Sequence, residues 1–450
     1  MIEENGQNFA NLLRSRLAQY MEELSVSRQN RNELQQLTCM TQLAATHERL
    51  FQFSQAREYY QQILVLSEQI GAKDWQEVAL YNIGNCYRQL SQFHESINYF
   101  ERLLEIARDT GNRGLQIAGI WGLGTNYQNL GQYQKAIEYF ENQLAISCEM
   151  NERNWEKSAN GSLANVCQFQ GKYKQALDYE QKALSIAGEL QDIKGTGDSL
   201  ANLGSIYLQL QDWPQVIEFC NQSLSIAQKI DDKDLLMISF SNLGQAHKGL
   251  DRYQTAIELL TKALQISHQI GEKRVRTAIL QGLSDACTSI NQLSLAIEYN
   301  VESLNISRQI GNRFGEAAAL SRIGSTYQYL SITDKALVYY KQALGILQDI
   351  GAKQSQQQLF FNIGAIYYRD RQYFQAIDFF RSALVLAQEL NNISEVASSA
   401  LALGGTFHRL NRMNEAISQY REAYSIYKTL GNETQAQQML KTMHNLGGQP

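Results

Sequence analysis

The stretch LGTNYQNLGQYQKAIEYFENQLAIS, residues 123–147, decides how this chain reads. With Ile120 before it, Leu123, Tyr127 and Leu130 recur at intervals of three and four, which places them on one face of an α-helix. Gly131-Gln132 interrupts the run with a short polar turn. Ala136, Ile137, Phe140 and Leu144 then draw a second apolar stripe at helical spacing. The segment is therefore a pair of helices joined by a tight turn. Alone it cannot cover its own apolar faces, so it has to stack on something similar.

The rest of the chain supplies the stacking partners. Gly124 recurs as Gly84, Gly204, Gly244, Gly324, Gly364 and Gly404, always 40 residues or a multiple of 40 away, with Ala44, Ala164 and Ser284 filling the missing steps. Taking this column as zero, Leu or Ile precedes it throughout, from Leu43 and Ile83 to Ile363 and Leu403. Three residues on stand Tyr87, Tyr127, Tyr207, Tyr327, Tyr367 and Phe407, with Cys167, Cys287, His47 and His247 in the same slot as packed groups. Twelve residues on, alanine recurs from Ala56 and Ala136 to Ala376 and Ala416; twenty residues on, leucine recurs from Leu64 to Leu384. Small residues at zero and at +12 predict that the two helices of a unit cross closely there. Glycine at +27 (Gly71, Gly111, Gly271, Gly311, Gly351, Gly431), often followed by Asn, suits a left-handed helix C-terminus.

Ten full units run from 35–74 to 395–434. Residues 1–34 align in part with the second helix of a unit and are expected to cap one end; 435–450 resemble the start of a first helix and are expected to cap the other. Trp213-Pro214 falls where a second helix begins, a position that tolerates proline. The units across 275–334 depart from the pattern at Ser284-Asp285-Ala286-Cys287 and at Ser331-Ile332-Thr333-Asp334, which reads either as a flexible joint or as neutral drift.

The leucine–glycine pair at zero, the aromatic at +3, then Ala-Ile-x-Tyr and Ala-Leu-x-Ile resemble the tetratricopeptide repeat, whose standard length is about 34 residues. The period here is longer, and the proline usual near the end of that repeat's second helix is replaced by Glu68, Arg108, Gln228, Arg308 and Gln388. A longer second helix absorbs the extra residues. This variety is similar to the repeats of kinesin light chains, of Leu-Gly-Asn-repeat adaptors and of bacterial peptide-pheromone receptors. The resemblance implies an all-α, right-handed superhelical solenoid of helix-turn-helix repeats, with the first helices on its concave wall.

Positions −2, +1 and +5 of the first helix are free of core duty and mostly polar. Asn82, Asn202, Asn242 and Asn362, with Arg322, stand at −2; Asn85 and Asn165, with Thr125, Ser205 and Gln245, stand at +1. Arg88, Arg369 and Arg409, with Arg49, Lys248 and His408, stand at +4 or +5. Asparagine offers both a donor and an acceptor to a peptide backbone. Arginine grips a carboxylate with two parallel hydrogen bonds. The expected function is an interaction scaffold that binds an extended, acidic segment of another protein, and the adaptors it resembles grip peptides in this way. The alternative is a signalling regulator whose superhelix changes pitch on binding a peptide or small ligand. The pheromone receptors carry an added effector domain, for which about 34 residues before the first unit are too few.

Other classes find no support. Forty Lys and Arg against 45 Asp and Glu leave a net charge of −5, without the basic excess of a nucleic-acid or membrane-surface binder. Two prolines and 44% hydrophobic residues fit a folded helical chain. No run of about 18 apolar residues suggests a membrane helix. The six cysteines (Cys39, Cys86, Cys148, Cys167, Cys220, Cys287) form no CxxC pair, so a reducing, cytoplasmic setting is expected. There is no P-loop, the glycines within 119–124 belong to a repeat helix, and His94-Glu95 does not continue to HExxH because residue 98 is Asn. The turn Asp231-Asp232-Lys233-Asp234 lacks calcium-loop spacing. No catalytic residue, metal or cofactor is expected, and self-association through end helices stays open.

Overall fold

The computed structural model describes residues 2–50 and 52–447 of the chain. Met1, Phe51 and residues 448–450, which include the extremities of the segments 1–34 and 435–450, lie outside the described residues. Among the described residues the chain forms 22 α-helices and no β-strand. They fall into two compact units, residues 1–230 and 231–450.

The first unit holds α1 (Ile2–Gln29), α2 (Glu33–Arg49), α3 (Phe53–Ile70), α4 (Lys73–Gln89), α5 (Phe93–Asp109), α6 (Arg113–Asn129), α7 (Tyr133–Glu149), α8 (Arg153–Phe169), α9 (Tyr173–Glu189), α10 (Ile193–Gln209) and α11 (Trp213–Ile230). The second holds α12 (Lys233–Gly249), α13 (Tyr253–Ile270), α14 (Arg274–Ser289), α15 (Leu293–Gln309), α16 (Arg313–Tyr329), α17 (Thr333–Asp349), α18 (Lys353–Arg369), α19 (Tyr373–Glu389), α20 (Ile393–Arg409), α21 (Met413–Thr429) and α22 (Glu433–Asn445). Even-numbered helices from α2 onward are the first helices of hairpins and odd-numbered ones the second. Within each unit every helix packs on its neighbours in sequence, and successive first helices also touch: α4 with α6 and α6 with α8, then α12 with α14, α14 with α16 and α18 with α20. Each unit is thus an all-α stack of helical hairpins.

Both turns of a hairpin pivot on one residue in the left-handed region. At the turn inside the hairpin it is Gly131 or Gly171, but elsewhere Ser91, Gln211, Asp251, Asn291, Ser331, Arg371 or Asn411. At the turn between hairpins it is Gly71, Gly111, Gly271, Gly311, Gly351 or Gly431, and elsewhere Asn151, Gln191, Asp231 or Asn391. At Gly71 the helix closes with the amide of Ala72 donating to the Ser67 carbonyl at 2.9 Å, the bond expected of a left-handed stop. The Asn that follows such a glycine starts the next helix: Asn112 Oδ1 accepts from the Leu115 amide at 3.2 Å and Asn312 Oδ1 from the Gly315 amide at 2.9 Å. Two residues thus end one helix and begin the next. Glutamines in the first turns of first helices clasp the preceding helix: Gln116 donates to the Ala107 carbonyl at 2.9 Å and Gln356 to the Leu347 carbonyl at 2.8 Å.

The close crossing expected at zero and +12 is present. Ser96, at +12 of its unit, donates to the Gly84 carbonyl at 2.7 Å, and the alanines from Ala56 to Ala416 in that column are fully buried. A further cause of the small residue at zero comes from the side chain sixteen residues later. A Cβ on Gly124 would stand 2.6 Å from the Phe140 ring, and on Gly84 2.9 Å from Phe100; Gly364 faces Phe380 and Gly404 faces Tyr420 in the same way. The +3 aromatic stacks on the +15 ring of its own hairpin, with centroids 5.3 Å apart for Tyr87–Tyr99 and 5.4 Å for Tyr127–Tyr139, and His47 stacks on Tyr59 at 5.6 Å.

The unit around Ser284 departs from the pattern in a matched way. Asn300 occupies the +16 slot, fully buried, and donates to Ser284 Oγ at 2.7 Å. A hydrogen bond replaces the glycine–ring contact. Ser284→Ala leaves the Asn300 amide unpartnered and should cost about 1–3 kcal/mol, read by urea denaturation at equal m-value. A loss below a few tenths of a kcal/mol would show that the pair contributes nothing.

Candidate binding face of the first helices

The structure shows what each residue of the polar columns touches. On α4, Asn82 donates to the Val78 carbonyl at 2.9 Å and Asn85 Oδ1 accepts from Arg88 Nη2 at 3.1 Å. The Arg88 guanidinium sits over the Trp121 ring of α6, 5.2 Å from its centroid. Asn165 on α8 accepts from Gln128 on α6 at 2.7 Å. Asn202 on α10 donates to Glu180 on α9 at 3.3 Å. In the second unit Asn242 is half-buried on α12. Arg322 on α16 pairs with Asp285 on α14, which also holds Lys248 of α12 at 3.2 Å. Asn362 on α18 accepts from Gln358 at 3.3 Å. Arg369 donates to Thr333 Oγ1 at 3.1 Å, and Arg409 on α20 donates to the Tyr368 hydroxyl at 3.3 Å.

A pattern runs through these contacts. Gln128–Asn165, Gln168–Ser205 at 3.1 Å, Lys248–Asp285 and Asp285–Arg322 each join neighbouring first helices across 37 residues. The polar face is cross-braced, so its side chains are held in place before any partner arrives. Asn165, Asn202, Arg369 and Arg409 are the most open to solvent of the set. Next to Arg322, a cavity of about 290 Å³ opens between α16 and α18, lined by Phe314, Ala318, Leu347 and Leu359 among others.

Spacing also distinguishes the two sides of each stack. Grooves open between second helices, about 330 Å³ between α7 and α9 and about 680 Å³ between α15 and α17. First helices approach each other directly. A ligand lying across first helices that touch meets several of them at once.

Two features escaped the sequence reading. Glu180 fills the +16 slot that holds a ring in six of the ten hairpins; it is 2% exposed, and burial pushes its carboxyl up to about 7 against opposing hydrogen bonds from Ser199 and Asn202. The column is visible in the repeat, and a charged residue within it was the available signal. The second feature is the Arg88–Trp121 contact, which no pattern within one unit announces. Burial also holds the Arg88 guanidinium below its ordinary value. Among the described residues no group of three or more His, Cys, Asp or Glu is placed to hold a metal ion, and no helix is long and apolar enough to cross a membrane.

Stacked helical hairpins with a braced polar face on the first helices define a helical-repeat protein. The chain belongs to the tetratricopeptide repeat family, which matches residues 36–109, 116–189, 196–269 and 356–429. The unmatched stretch between the last two matches contains the Ser284–Asn300 unit, yet it keeps the hairpin architecture from α14 to α17. No curated protein matches the sequence. Among solved structures the chain is similar to a signal-transduction ATPase with numerous domains and a tetratricopeptide repeat sensor from Pyrococcus horikoshii, at 14% identity and a TM-score of 0.59, over 79% of this chain and 55% of that one. It is similar to the apo form of RapI at 15% identity and a TM-score of 0.55, over 79% of this chain and 98% of that one. It is also similar to the apo form of the quorum sensor NprR from B. thuringiensis at 14% identity and a TM-score of 0.53, over 75% and 99% of the two chains. At these identities the likeness is one of fold.

Proposed function

We propose that the first-helix face of this protein holds an extended, acidic segment of a partner protein, making the chain an interaction scaffold. The observation that carries this reading is the set of side-chain bonds joining consecutive first helices, Gln128–Asn165, Gln168–Ser205 and Lys248–Asp285–Arg322, with further amide and guanidinium groups beside them. An extended chain advances about 3.4 Å per residue, and packed helices stand about 8–10 Å apart. Each first helix therefore meets about every third residue of the ligand. Amides such as Asn165 and Asn202 supply donors and acceptors to the ligand backbone, largely without regard to its sequence. Arginines supply the preference for acid. Because the chain's own net charge is −5, that preference is local and owes nothing to long-range attraction.

Asn165, Arg369 and Arg409 are exposed, so changing all three to alanine leaves the fold alone. A peptide mapped from a partner recovered with the intact chain should bind the triple variant at least about tenfold more weakly by calorimetry. Undiminished affinity at unchanged helicity overturns the scaffold reading.

A second reading, a regulator that changes shape on binding, draws on the solved structures whose titles call them sensors. Nearest-neighbour packing lets small rotations accumulate along a stack. A ligand-dependent radius of gyration in X-ray scattering is the expected result on this reading.

A further inference from the structure

The arginines of this molecule fall into two groups. Several have a carboxylate: Arg102 has Glu68 at 3.1 Å, Arg113 has Glu149 at 3.4 Å, Arg308 has Glu316 at 2.8 Å, and Arg322 has Asp285. Arg88 has none among the described residues, although it is more enclosed than these exposed pairs. Its Nη2 donates to a neutral amide oxygen, Asn85 Oδ1, at 3.1 Å. Its Nε is buried without an acceptor. Its flat face rests on Trp121. Tyr81, Asn85 and Arg88 follow one another at i, i+4 and i+7, so they share a face of α4, and Trp121 closes the group from α6.

An arginine side chain keeps its charge even when partly desolvated. Enclosing a cation without a counter-charge is unfavourable. Asn85 and Trp121 nevertheless hold this one in a fixed orientation, with Nη1 unbonded among the described residues. A carboxylate arriving on that edge makes charge-assisted hydrogen bonds in a setting where water competes poorly. Arg322 offers no comparable gain, since Asp285 already neutralises it.

We infer that Arg88, braced by Asn85 and stacked on Trp121, is the seat that takes an Asp or Glu side chain of the bound segment, and so sets the requirement for acid in the first unit. The inference rests on the proposed role of the first-helix face and assigns its acid preference to one residue.

The test uses the full chain and two capped peptides, N-acetylated and C-amidated. One alternates Asp with Ala, the other Asn with Ala, each carrying a fluorophore for anisotropy. Arg88→Gln should weaken the Asp peptide about 10- to 100-fold and leave the Asn peptide unchanged, with Arg88→Lys between. The difference between Asp and Asn peptides should shrink in Arg88→Gln, along with the salt dependence. Arg88→Gln should keep the helicity and cooperative unfolding of the intact chain without ligand, since it gives up only the stacking on Trp121 and the bond to Asn85. Equal binding of the Asp peptide to the intact chain and to Arg88→Gln overturns the seat, while the scaffold reading survives if Arg369→Ala with Arg409→Ala still weakens it. Absence of binding by the intact chain to either peptide overturns both. A requirement for a free C-terminal carboxylate on the Asp peptide also overturns the assignment to an acidic side chain.

Discussion

Phe140→Ala is expected to destabilise the first unit by about 3–5 kcal/mol, with the loss concentrated at α6 and α7. Phe140 is 1% exposed, and its ring occupies the space over Gly124. Removing it empties a site whose walls belong to two helices, and close-packed walls relax only partly into the void. The complementary change, Gly124→Leu, forces a side chain into space the ring already fills and should cost about 1–3 kcal/mol. Together the two should cost clearly less than their sum, because the leucine then fills the cavity that the alanine leaves. Hydrogen exchange at the amides of α6 and α7 is the suitable readout, since stacked repeats lose stability locally. Strict additivity of the two changes would show that the glycine and the ring do not share a space.

Glu180 carries the second large effect, with opposite sign. Its slot holds a ring in six other hairpins (Tyr60, Phe100, Phe140, Tyr340, Phe380, Tyr420) and an uncharged residue in the remaining three (Cys220, Leu260, Asn300). Here a carboxyl is 2% exposed and retains its proton up to about 7. An unfolded chain releases that proton near pH 4.3. Between those two values the folded state binds more protons than the unfolded one, so stability falls as pH rises through the window. Above it the ionised carboxylate is enclosed and costs roughly 3 kcal/mol. Glu180→Gln keeps an acceptor for Asn202 and removes the ionisation. The variant should gain up to roughly 3 kcal/mol over the natural chain at pH 8 and match it near pH 4. Urea denaturation at the two pH values decides the matter, and an equal difference at both would mean that Glu180 does not titrate in this window.

Much of the architecture was legible because it rests on short-range rules. The intervals of three and four around Leu123 and Tyr127, the turn at Gly131 and the left-handed stop at Gly111 are decided within a few residues. A column that repeats every 40 residues states the same decision many times. The ring over Gly124 was legible in principle, since the +16 column is regular, but a repeat pattern names a slot without naming its neighbour. The left-handed residues inside the hairpins were less legible, because Ser91, Asp251 and Arg371 occupy positions where glycine would have signalled them.

The binding face divides along the same line. By repeat position Arg88, at +4, and Arg322, at −2, both read simply as polar residues of a first helix outside its apolar columns. In the folded protein Arg322 meets Asp285 from the preceding hairpin and Arg88 meets a tryptophan from the following one. From the sequence by itself came the helices, their pairing, their phase and the faces they turn outward, because those depend on spacing along one chain segment. Tertiary structure alone decided which outward groups are neutralised, braced or left with an unmet charge. Such partnerships join residues 30 to 40 positions apart, and their energies depend on distance and burial, which periodicity does not encode.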